Sequence, residues 1–322
     1  MDLRSLRLYL SVLEHGSITK ASESVHVAQP ALGLHIRKLE EELGLSLLER
    51  HSRGIRATEA GGLLAKHAEV LLRYADLAKE EMTSYSKVPS GNVSIGLTPT
   101  AREAVAVSLV ERVSKDLPAV HLTVKEALSE MLVEYLLDGR LDAALVYNTR
   151  EGGEQLAFEP LASEAMYFVY PLRDGRRPGD TITLAEAMSH RLILPTRPHL
   201  VRTEIDRLAA NLGVTPNIVH EVDSMAAIRD FVGGGLGCSV MPRGAVRNPA
   251  YAGSVGSQMV VEPTIKRLLH LAYSKRRSIS KAFEATLGVL KRVVEEEMKR
   301  PDSQWERLEP ARRVVKAVAG TA

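Results

Sequence analysis

The 322-residue sequence has little of what disulfide frameworks, metal clusters or membrane spans require. Its one cysteine, Cys238, excludes a disulfide within the chain and a cysteine-based metal cluster. It has no apolar run of roughly 18 residues, and Asp2, Arg4 and Arg7 stand where a signal peptide would be apolar. We therefore expect a cytoplasmic protein of about two domains. The net charge of +2 does not by itself indicate a partner, so the placement of the charges has to decide.

Residues 17–58 predict two short helices across a tight bend, followed by a basic hairpin. Ser17 can cap the first of these helices, and Gln29 and Pro30 can open the second, because proline suits a first helical turn. The second helix has an apolar stripe, which comprises Leu32, Ile36, Leu39 and Leu43. This order is typical of a winged helix-turn-helix, which places its second helix in the DNA major groove.

The polar face of the second helix and the hairpin provide the candidate DNA contacts. Gln29 and His35 can hydrogen-bond base edges, and Ala31 can contact a thymine methyl. An arginine at the hairpin tip, Arg53, can enter the adjacent minor groove. The full candidate set is Gln29, Pro30, Ala31, Gly33, His35, Arg37, Lys38, Arg50, Arg53 and Arg56. The alternative is a small helical domain whose charged surface is merely solvated.

The run AQPALGLHIRKLEEELGLSLLERHSRGIRATEAG resembles the N-terminal signature of LysR-type transcriptional regulators. The match includes Gln-Pro-Ala at 29–31 and Thr-x-Ala-Gly at 58–61, and an extended motif of this kind is very specific. Gly33 departs from the serine usual in the family, and Leu34 from a polar or basic residue. The resemblance implies double-stranded promoter DNA and RNA polymerase as partners, but it does not transfer a base preference.

One long helical pattern runs from about Thr58 to Ser86, before Val-Pro-Ser-Gly at 88–91 breaks it. Its narrow apolar seam is typical of a helix that pairs with another helix, although it could instead pack on its own effector domain. The resemblance implies a linker-helix dimer and, beyond it, a dimer of dimers. We therefore divide this part into a DNA-binding domain, 1–58, and a linker helix, 59–88.

Residues 91–298 alternate strand and helix patterns, which predicts a parallel sheet with helices on both faces. The candidate strands are 92–97, 120–126, 141–147, 166–170, 191–194, 218–222, 237–241 and 268–273. The candidate helices are 100–116, 129–138, 183–189, 201–212, 224–234 and 277–298. The segments SGNVSIGL, LLDGRLDAAL and FVGGGLGCSVMP extend the resemblance. It implies a two-subdomain effector domain like periplasmic binding proteins, with subdomains 91–162 plus 265–298 and 163–264 joined by two crossing strands.

Hydroxyls at predicted helix starts mark a candidate ligand cleft between these subdomains. Hydroxyls and free N–H groups suit an anion, so we expect a small anionic effector. The candidate effector residues are Thr98, Thr100, Ser129, Tyr147, Thr196, Arg197 and His199. By resemblance, Thr98, Ser129 and Thr196 stand where the family commonly holds its effector. Each hydroxyl could also be a simple cap, with Thr100 and Glu103 as a capping box, Arg197 could pair with surface acids, and Tyr147 could belong to a turn.

Other interpretations compete with this one. The stretch LSEMLVEYLLDGRLDAALVYN resembles regulators of the nitrogen-assimilation-control type, which leaves a ligand-independent regulator controlled by its own abundance. An enzyme or solute carrier is a third possibility, but no nucleophile–base or metal-ligand spacing stands out, so we predict no enzyme activity, cofactor or metal. Cys238 reads as a buried structural thiol rather than a redox sensor. Residues 299–322 predict an exposed tail with a short helix from Trp305 to Ala317.

Overall fold

The computed structural model describes residues 1–51, 54–83, 88–147, 153–172, 179–246, 253–275 and 280–308. The N-terminal part is a winged helix-turn-helix followed by a long helix, as the sequence predicts. Its elements are α1 (Leu3–His15), α2 (Ile18–Ser24), α3 (Gln29–Leu43), β1 (Leu48–His51), β2 (Gly54–Ala57) and α4 (Glu59–Thr83). No helix in these ranges combines the length and apolarity that crossing a bilayer requires.

The helices of the reading head, residues 1–58, begin and end at capping residues that can be recognised in the sequence. The Asp2 side chain caps α1 and the Ser17 side chain caps α2, while Gly16 and Gly44 end α1 and α3 in the left-handed conformation. The core that these helices enclose comprises Leu8, Tyr9, Val12, Ala21, Leu32, Ile36, Leu39 and Leu47. The prediction that Leu43 belongs to this core is wrong, because this last residue of α3 is 39% exposed.

The Thr-x-Ala-Gly motif forms the joint between the reading head and α4. The Thr58 hydroxyl donates to the Ser46 carbonyl (2.7 Å) and accepts from the Gly61 N–H (3.0 Å), so it ties the chain before β1 to the start of α4. Gly61 is buried so closely that a Cβ there would lie 2.0 Å from the Leu47 carbonyl oxygen. The joint therefore requires glycine for its close approach.

The C-terminal part contains ten strands and seven helices within the described ranges. The elements of its first half are β3 (Gly91–Leu97), α5 (Pro99–Asp116), β4 (Val120–Glu126), α6 (Ser129–Leu137), β5 (Ala143–Tyr147), β6 (Leu156–Pro171), β7 (Thr181–Thr183), α7 (Leu184–Ser189) and β8 (Leu192–Leu194). Those of its second half are α8 (Leu200–Asn211), β9 (Ile218–Glu221), α9 (Met225–Gly233), β10 (Ser239–Pro242), α10 (Arg243–Val246), β11 (Val255–Val261), β12 (Lys266–Ser274) and α11 (Lys281–Lys299).

The prediction of a parallel sheet is wrong, because the sheet is mixed. Its order is β4-β3-β5-β12-β6-β11-β7, with β10 also on β6, and β8 pairs with β9 separately. Strand β6 is 16 residues long and pairs antiparallel with β10, β11 and β12. Strands β11 and β12 run in the direction opposite to β6, so their pairings with β6 are antiparallel. The sequence patterns missed β7, β11 and the first half of β6.

Two hydrophobic cores divide this sheet into two subdomains. One core gathers side chains from β3, α5, β5 and α11, and the other gathers side chains from α7, β8, α8 and the far half of β6. Strands β6 and β12 run between the two, which agrees with the predicted pair of crossing strands.

Residues 299–302 are exposed as predicted, but the prediction of an exposed tail is wrong at Gln304 and Trp305. Trp305 is 2% exposed and belongs to the core of the first subdomain. The backbones of Glu306 and Ser163 exchange two hydrogen bonds, of 2.8 and 3.0 Å, so the segment docks on β6 as a short antiparallel bridge. Trp305 also does not start a helix. Residues 309–322, which contain most of the predicted tail helix, lie outside the described residues.

Candidate DNA-reading face and ligand cleft

Helix α3 presents most of the predicted reading residues to solvent. Its exposed positions before Leu39 are Gln29, Pro30, Ala31, Leu34, Arg37 and Lys38. Gly33 and His35 are half-buried, so they lie at the edge of this face. The α3 N-terminus has no side-chain cap, because Ala28 occupies the N-cap position, and its first N–H groups have no side-chain acceptor among the residues that the structure describes.

Leu34 is a member of this face that the candidate set omitted. It is 48% exposed and follows Ala31 by three residues, so the two side chains lie on one side of α3. Leu34 stands where the family that the sequence resembles frequently has a polar or basic residue, and this difference is the sequence signal that could have identified it.

The wing is held against the turn between α1 and α2. The Ile55 N–H donates to the Gly16 carbonyl oxygen at 2.8 Å, and Arg50 pairs with Ile55 in the hairpin. Arg56 is exposed on the second strand of the wing. Arg53 and the side chain of Arg50 lie outside the described residues, so their DNA roles stay predictions.

Helix α4 has two apolar faces. One face carries Ala68 and Leu72, which are buried against Leu6 of the reading head. The other face is exposed in the single chain, and its large apolar residues are Leu63, Leu71, Tyr74 and Met82. At 100° per residue these four positions fall in one stripe about 100° wide. Tyr85, a further seam residue of the sequence pattern, lies outside the described residues.

A buried ion pair joins α4 to the effector domain. The Arg73 guanidinium pairs with Asp142, whose carboxylate is only 2% exposed, and donates to the Ser94 hydroxyl at 2.9 Å. Asp142 also accepts from the Ser94 N–H (2.6 Å) and the Ser94 hydroxyl (2.9 Å). The base of the first subdomain is therefore connected to the helix that carries the reading head.

A cleft between the two subdomains encloses about 1000 Å³ of empty space, part of it open to solvent. This is a volume typical of small-molecule sites. Five predicted effector residues line it together, and they are Thr98, Thr100, Ser129, Tyr147 and His199. They come from β5 and from the starts of α5, α6 and α8, so the fold brings together residues that are 100 positions apart.

Two helices begin at this cleft without a side-chain cap. Thr98 is the N-cap of α5 and is 5% exposed, yet its hydroxyl has no hydrogen-bond partner among the described residues. Ser129 is the first residue of α6, and its hydroxyl accepts from the Tyr147 N–H at 3.0 Å. The Ser129 hydroxyl proton is thus available to a ligand.

A buried polar cluster forms the floor of the cleft. The Arg267 guanidinium donates to Glu164 (2.7 Å) and to the Thr100 hydroxyl (2.7 Å), and it stacks 3.6 Å above the Tyr147 ring. The predicted capping box of Thr100 and Glu103 is therefore wrong, because the Thr100 hydroxyl turns to Arg267 rather than to the start of α5. Burial raises the pKa of Tyr147, so its phenol stays protonated.

The C-terminal segment supports this floor from behind. The Trp305 indole N–H donates to the Tyr147 hydroxyl at 2.9 Å, and the Gln304 amide donates to the Thr100 carbonyl at 3.2 Å. The sequence interpretation missed both residues. The one pattern that could have indicated them is that Trp305, the only tryptophan of the chain, follows a long amphipathic helix.

Two predicted effector residues do not line the cleft. The Thr196 hydroxyl donates to Asp223 at 2.7 Å, and Arg197 pairs with Asp206 at 2.7 Å with its side chain 68% exposed. The structure brings neither residue into the cleft lining, and Arg197 instead makes the alternative contact, a pair with a surface acid. The cause is tertiary. Asp223 follows β9, which pairs with β8, and this pairing places the Asp223 carboxylate beside the Thr196 hydroxyl.

Carboxylates and a histidine lie around the mouth of the cleft. Glu130 lines it from the first subdomain, and Asp223 and His199 line it from the second. Burial lowers the pKa of His199, although Glu130 and Asp223 act in the opposite direction. Hydrogen bonds from Thr196 lower the pKa of Asp223, so this carboxylate is ionised at neutral pH.

A winged helix-turn-helix, a long helix with a second apolar face and a two-subdomain domain with a cleft between its subdomains are together the architecture of a DNA-binding regulator. Two family models match the chain. The bacterial regulatory helix-turn-helix of the LysR family matches residues 3–62, and the LysR substrate binding domain matches residues 86–295. The chain belongs to the LysR family and is a LysR-type DNA-binding transcriptional regulator.

Individual relatives agree with this assignment. The nitrogen assimilation regulatory protein nac of Klebsiella aerogenes is 31% identical over 91% of this chain and 95% of its own length. Full-length OxyR of Pseudomonas aeruginosa has the same fold, with a TM-score of 0.70 at 23% identity over 96% of this chain and 99% of that chain. CbnR, solved in complex with its target DNA, has a TM-score of 0.70 at 22% identity over 91% of this chain and 100% of that chain.

Proposed function

We propose that this regulator binds promoter DNA in the cytoplasm as a homodimer, and that a small molecule in the cleft between its subdomains changes how the two reading heads are spaced. The observation that carries the proposal is the buried Thr98 hydroxyl, which lies at a cleft between two subdomains and has no partner within the described ranges. A dimer of dimers and contact with RNA polymerase belong to the same proposal. The protein acts by binding, not as an enzyme.

The reading face supports a major-groove role for α3. Gln29, with its amide exposed at the uncapped start of the helix, can contact a base edge or a phosphate. Arg37 and Lys38 are exposed a little more than two turns further along, where they can neutralise phosphates. Leu34 takes the place of a polar contact and can pack on a thymine methyl.

The two faces of α4 support dimerisation. Leu63 and Met82 are 59% and 69% exposed in the single chain, and surface exposure of a continuous apolar stripe on a helix is costly. Pairing of two such stripes would bury them and hold two reading heads at a fixed separation, as a two-fold DNA site requires. The face of α4 that carries Ala68 and Leu72 is already occupied by the reading head, so the exposed stripe is the one left for a partner.

A ligand can switch this protein only if it prefers one arrangement of the domains. The ion pair between Arg73 and Asp142 offers the route, because it joins the subdomain that holds Thr98 and Ser129 to the helix that holds the reading head. The uncapped starts of α5 and α6 support an anionic group on the ligand.

Some relatives are named hydrogen peroxide-inducible genes activators, but a thiol-based oxidant sensor fits this chain poorly. Cys238 is its only cysteine, and burial raises the pKa of the thiol to about 11. A thiol protonated at neutral pH is a weak nucleophile towards an oxidant. We infer that the signal reaches the cleft as a bound molecule.

DNA binding by the full-length protein tests the proposal. On DNA upstream of its own gene, Arg37→Ala should weaken binding and reduce the slope of log affinity against log salt by about 1. Arg207→Ala, a change at an exposed arginine of the effector domain, should leave the slope unchanged. If Arg37→Ala leaves the slope of log affinity against log salt unchanged, α3 does not contact the DNA. DNA affinity that no small molecule alters would favour control by protein abundance instead.

A further inference from the structure

One side of the cleft is built for a carboxylate. Helices α5 and α6 direct their uncapped N-termini into it, and α5 is 18 residues long. The Thr98 hydroxyl is 5% exposed, has no hydrogen-bond partner in the part of the chain that the structure describes, and lies at the same place. Since a buried hydroxyl without a partner is costly, its position indicates a ligand that supplies the hydrogen bond.

The cations of the cleft wall are already neutralised by protein carboxylates. Arg267 pairs with Glu164 at 2.7 Å, and Lys266 pairs with Glu306 at 2.9 Å. They therefore add little attraction for a ligand whose charge is only negative.

Two carboxylates of the wall are not neutralised in this way. Glu130 has no ion pair or hydrogen bond among the described residues, and Asp223 is bonded only by the neutral donors of Thr196. Both line the cleft, Glu130 from the first subdomain and Asp223 from the second. An anion alone would meet net repulsion here, whereas a ligand that also carries an ammonium group would be matched.

Apolar side chains of both subdomains form the remaining walls. These side chains include Leu128, Met166, Val222, Met225, Ile228 and Ile265. A ligand that fills this space needs an apolar body, because polar atoms placed there would lose their hydrogen bonds to water.

We propose that the ligand of this cleft is zwitterionic, namely an L-amino acid with an apolar side chain. Its carboxylate lies at the starts of α5 and α6 against Thr98, and its ammonium group lies between Glu130 and Asp223. The inference rests on the proposed function, because it specifies the chemistry of the same effector cleft.

Matched ligands test the contributions of the carboxylate and of the ammonium group separately. Binding to the full-length protein is measured by calorimetry and by the fluorescence of Trp305, whose indole bonds the Tyr147 hydroxyl of the cleft floor. The probes are the apolar L-amino acids valine, leucine, isoleucine, methionine and phenylalanine. For leucine, 3-methylbutylamine lacks the carboxylate and 4-methylpentanoate lacks the ammonium group. We expect at least one amino acid to bind. Its analogues that lack either the carboxylate or the ammonium group should bind at least about tenfold more weakly than the amino acid itself.

Substitutions then assign each charge to its contact. Glu130→Gln should weaken binding of the amino acid about tenfold and leave the deaminated acid unchanged or tighter, while Thr98→Val should weaken both. Glu111→Gln, at an exposed glutamate of α5 outside the cleft, is the control and should change neither.

Two outcomes would overturn the inference. One is a deaminated acid that binds as tightly as the amino acid, and the other is no binding of any of these amino acids at millimolar concentration. If a different molecule then changes DNA affinity through Thr98, the effector cleft stands and only the zwitterion is wrong. If no small molecule changes DNA affinity, the ligand-controlled function itself fails.

Discussion

Replacing Gly61 by alanine should loosen the joint between the reading head and α4, whereas the same replacement at the next residue should not. A Cβ at Gly61 would lie 2.0 Å from the Leu47 carbonyl oxygen and 2.6 Å from the Tyr9 hydroxyl. Real Cβ atoms essentially never approach heavy atoms closer than 3.0 Å, so the Leu47 backbone must move by about 1 Å. A Cβ at Gly62 would meet no atom within 4 Å.

The size of the effect follows from these contacts. Overpacking a buried site costs about 1–3 kcal/mol, and the displaced carbonyl also accepts a 3.0 Å bond from Thr58, worth about 1 kcal/mol. Alanine gains about 1 kcal/mol over glycine in a helix at either position. Gly61→Ala should therefore destabilise the head by about 1–3 kcal/mol, and Gly62→Ala should stabilise α4 by up to about 1 kcal/mol.

Hydrogen exchange of amides in α1 and α3, measured on the intact protein, reads out this local stability. Exchange should accelerate about tenfold for each 1.4 kcal/mol lost in Gly61→Ala, and should slow or stay unchanged in Gly62→Ala. DNA affinity should fall with the first variant only. Equal protection in the two variants would refute the close approach of α4 to Leu47.

Three further predictions concern the effector domain and its joint with α4. Trp305→Ala should lower the free energy of unfolding by about 3–5 kcal/mol, with Trp305→Phe closer to wild type, and a loss below about 1 kcal/mol in thermal unfolding would contradict a buried C-terminal segment. Arg73→Ala leaves Asp142 buried without its cation and should cost about 3–5 kcal/mol, whereas Arg112→Ala, which breaks an exposed pair, should cost less than about 1 kcal/mol; equal melting temperatures for the two would oppose this. Burial lowers the pKa of His199 below its ordinary value of 6.5, so the unfolded state binds more protons and stability should fall as pH drops through 6.5; His199→Gln should flatten that part of the stability profile, and identical profiles would count against it.

The sequence by itself determined the reading head, because the interactions that define it are short-range. Ser17, Pro30 and Gly44 set helix starts and ends within a few residues, and the stripe that includes Leu32 follows from helical periodicity. The same reasoning found α4 and the helices of the effector domain except the four-residue α10. The family signature added the DNA and cleft assignments. Among the cleft residues, Thr98 and Ser129 could be placed from the sequence because each lies where a predicted strand ends and the next helix begins.

Only the tertiary structure decided the rest of the site. The mixed sheet, the capture of Thr196 by Asp223 and the pairing of Arg267 with Glu164 each join residues far apart in sequence, and no local pattern encodes them. The contact between Trp305 and Tyr147 spans 158 positions, so a segment that looked like a tail became part of the cleft floor. Local propensity acts over a few residues, whereas burial is settled only when distant elements compete for the same core.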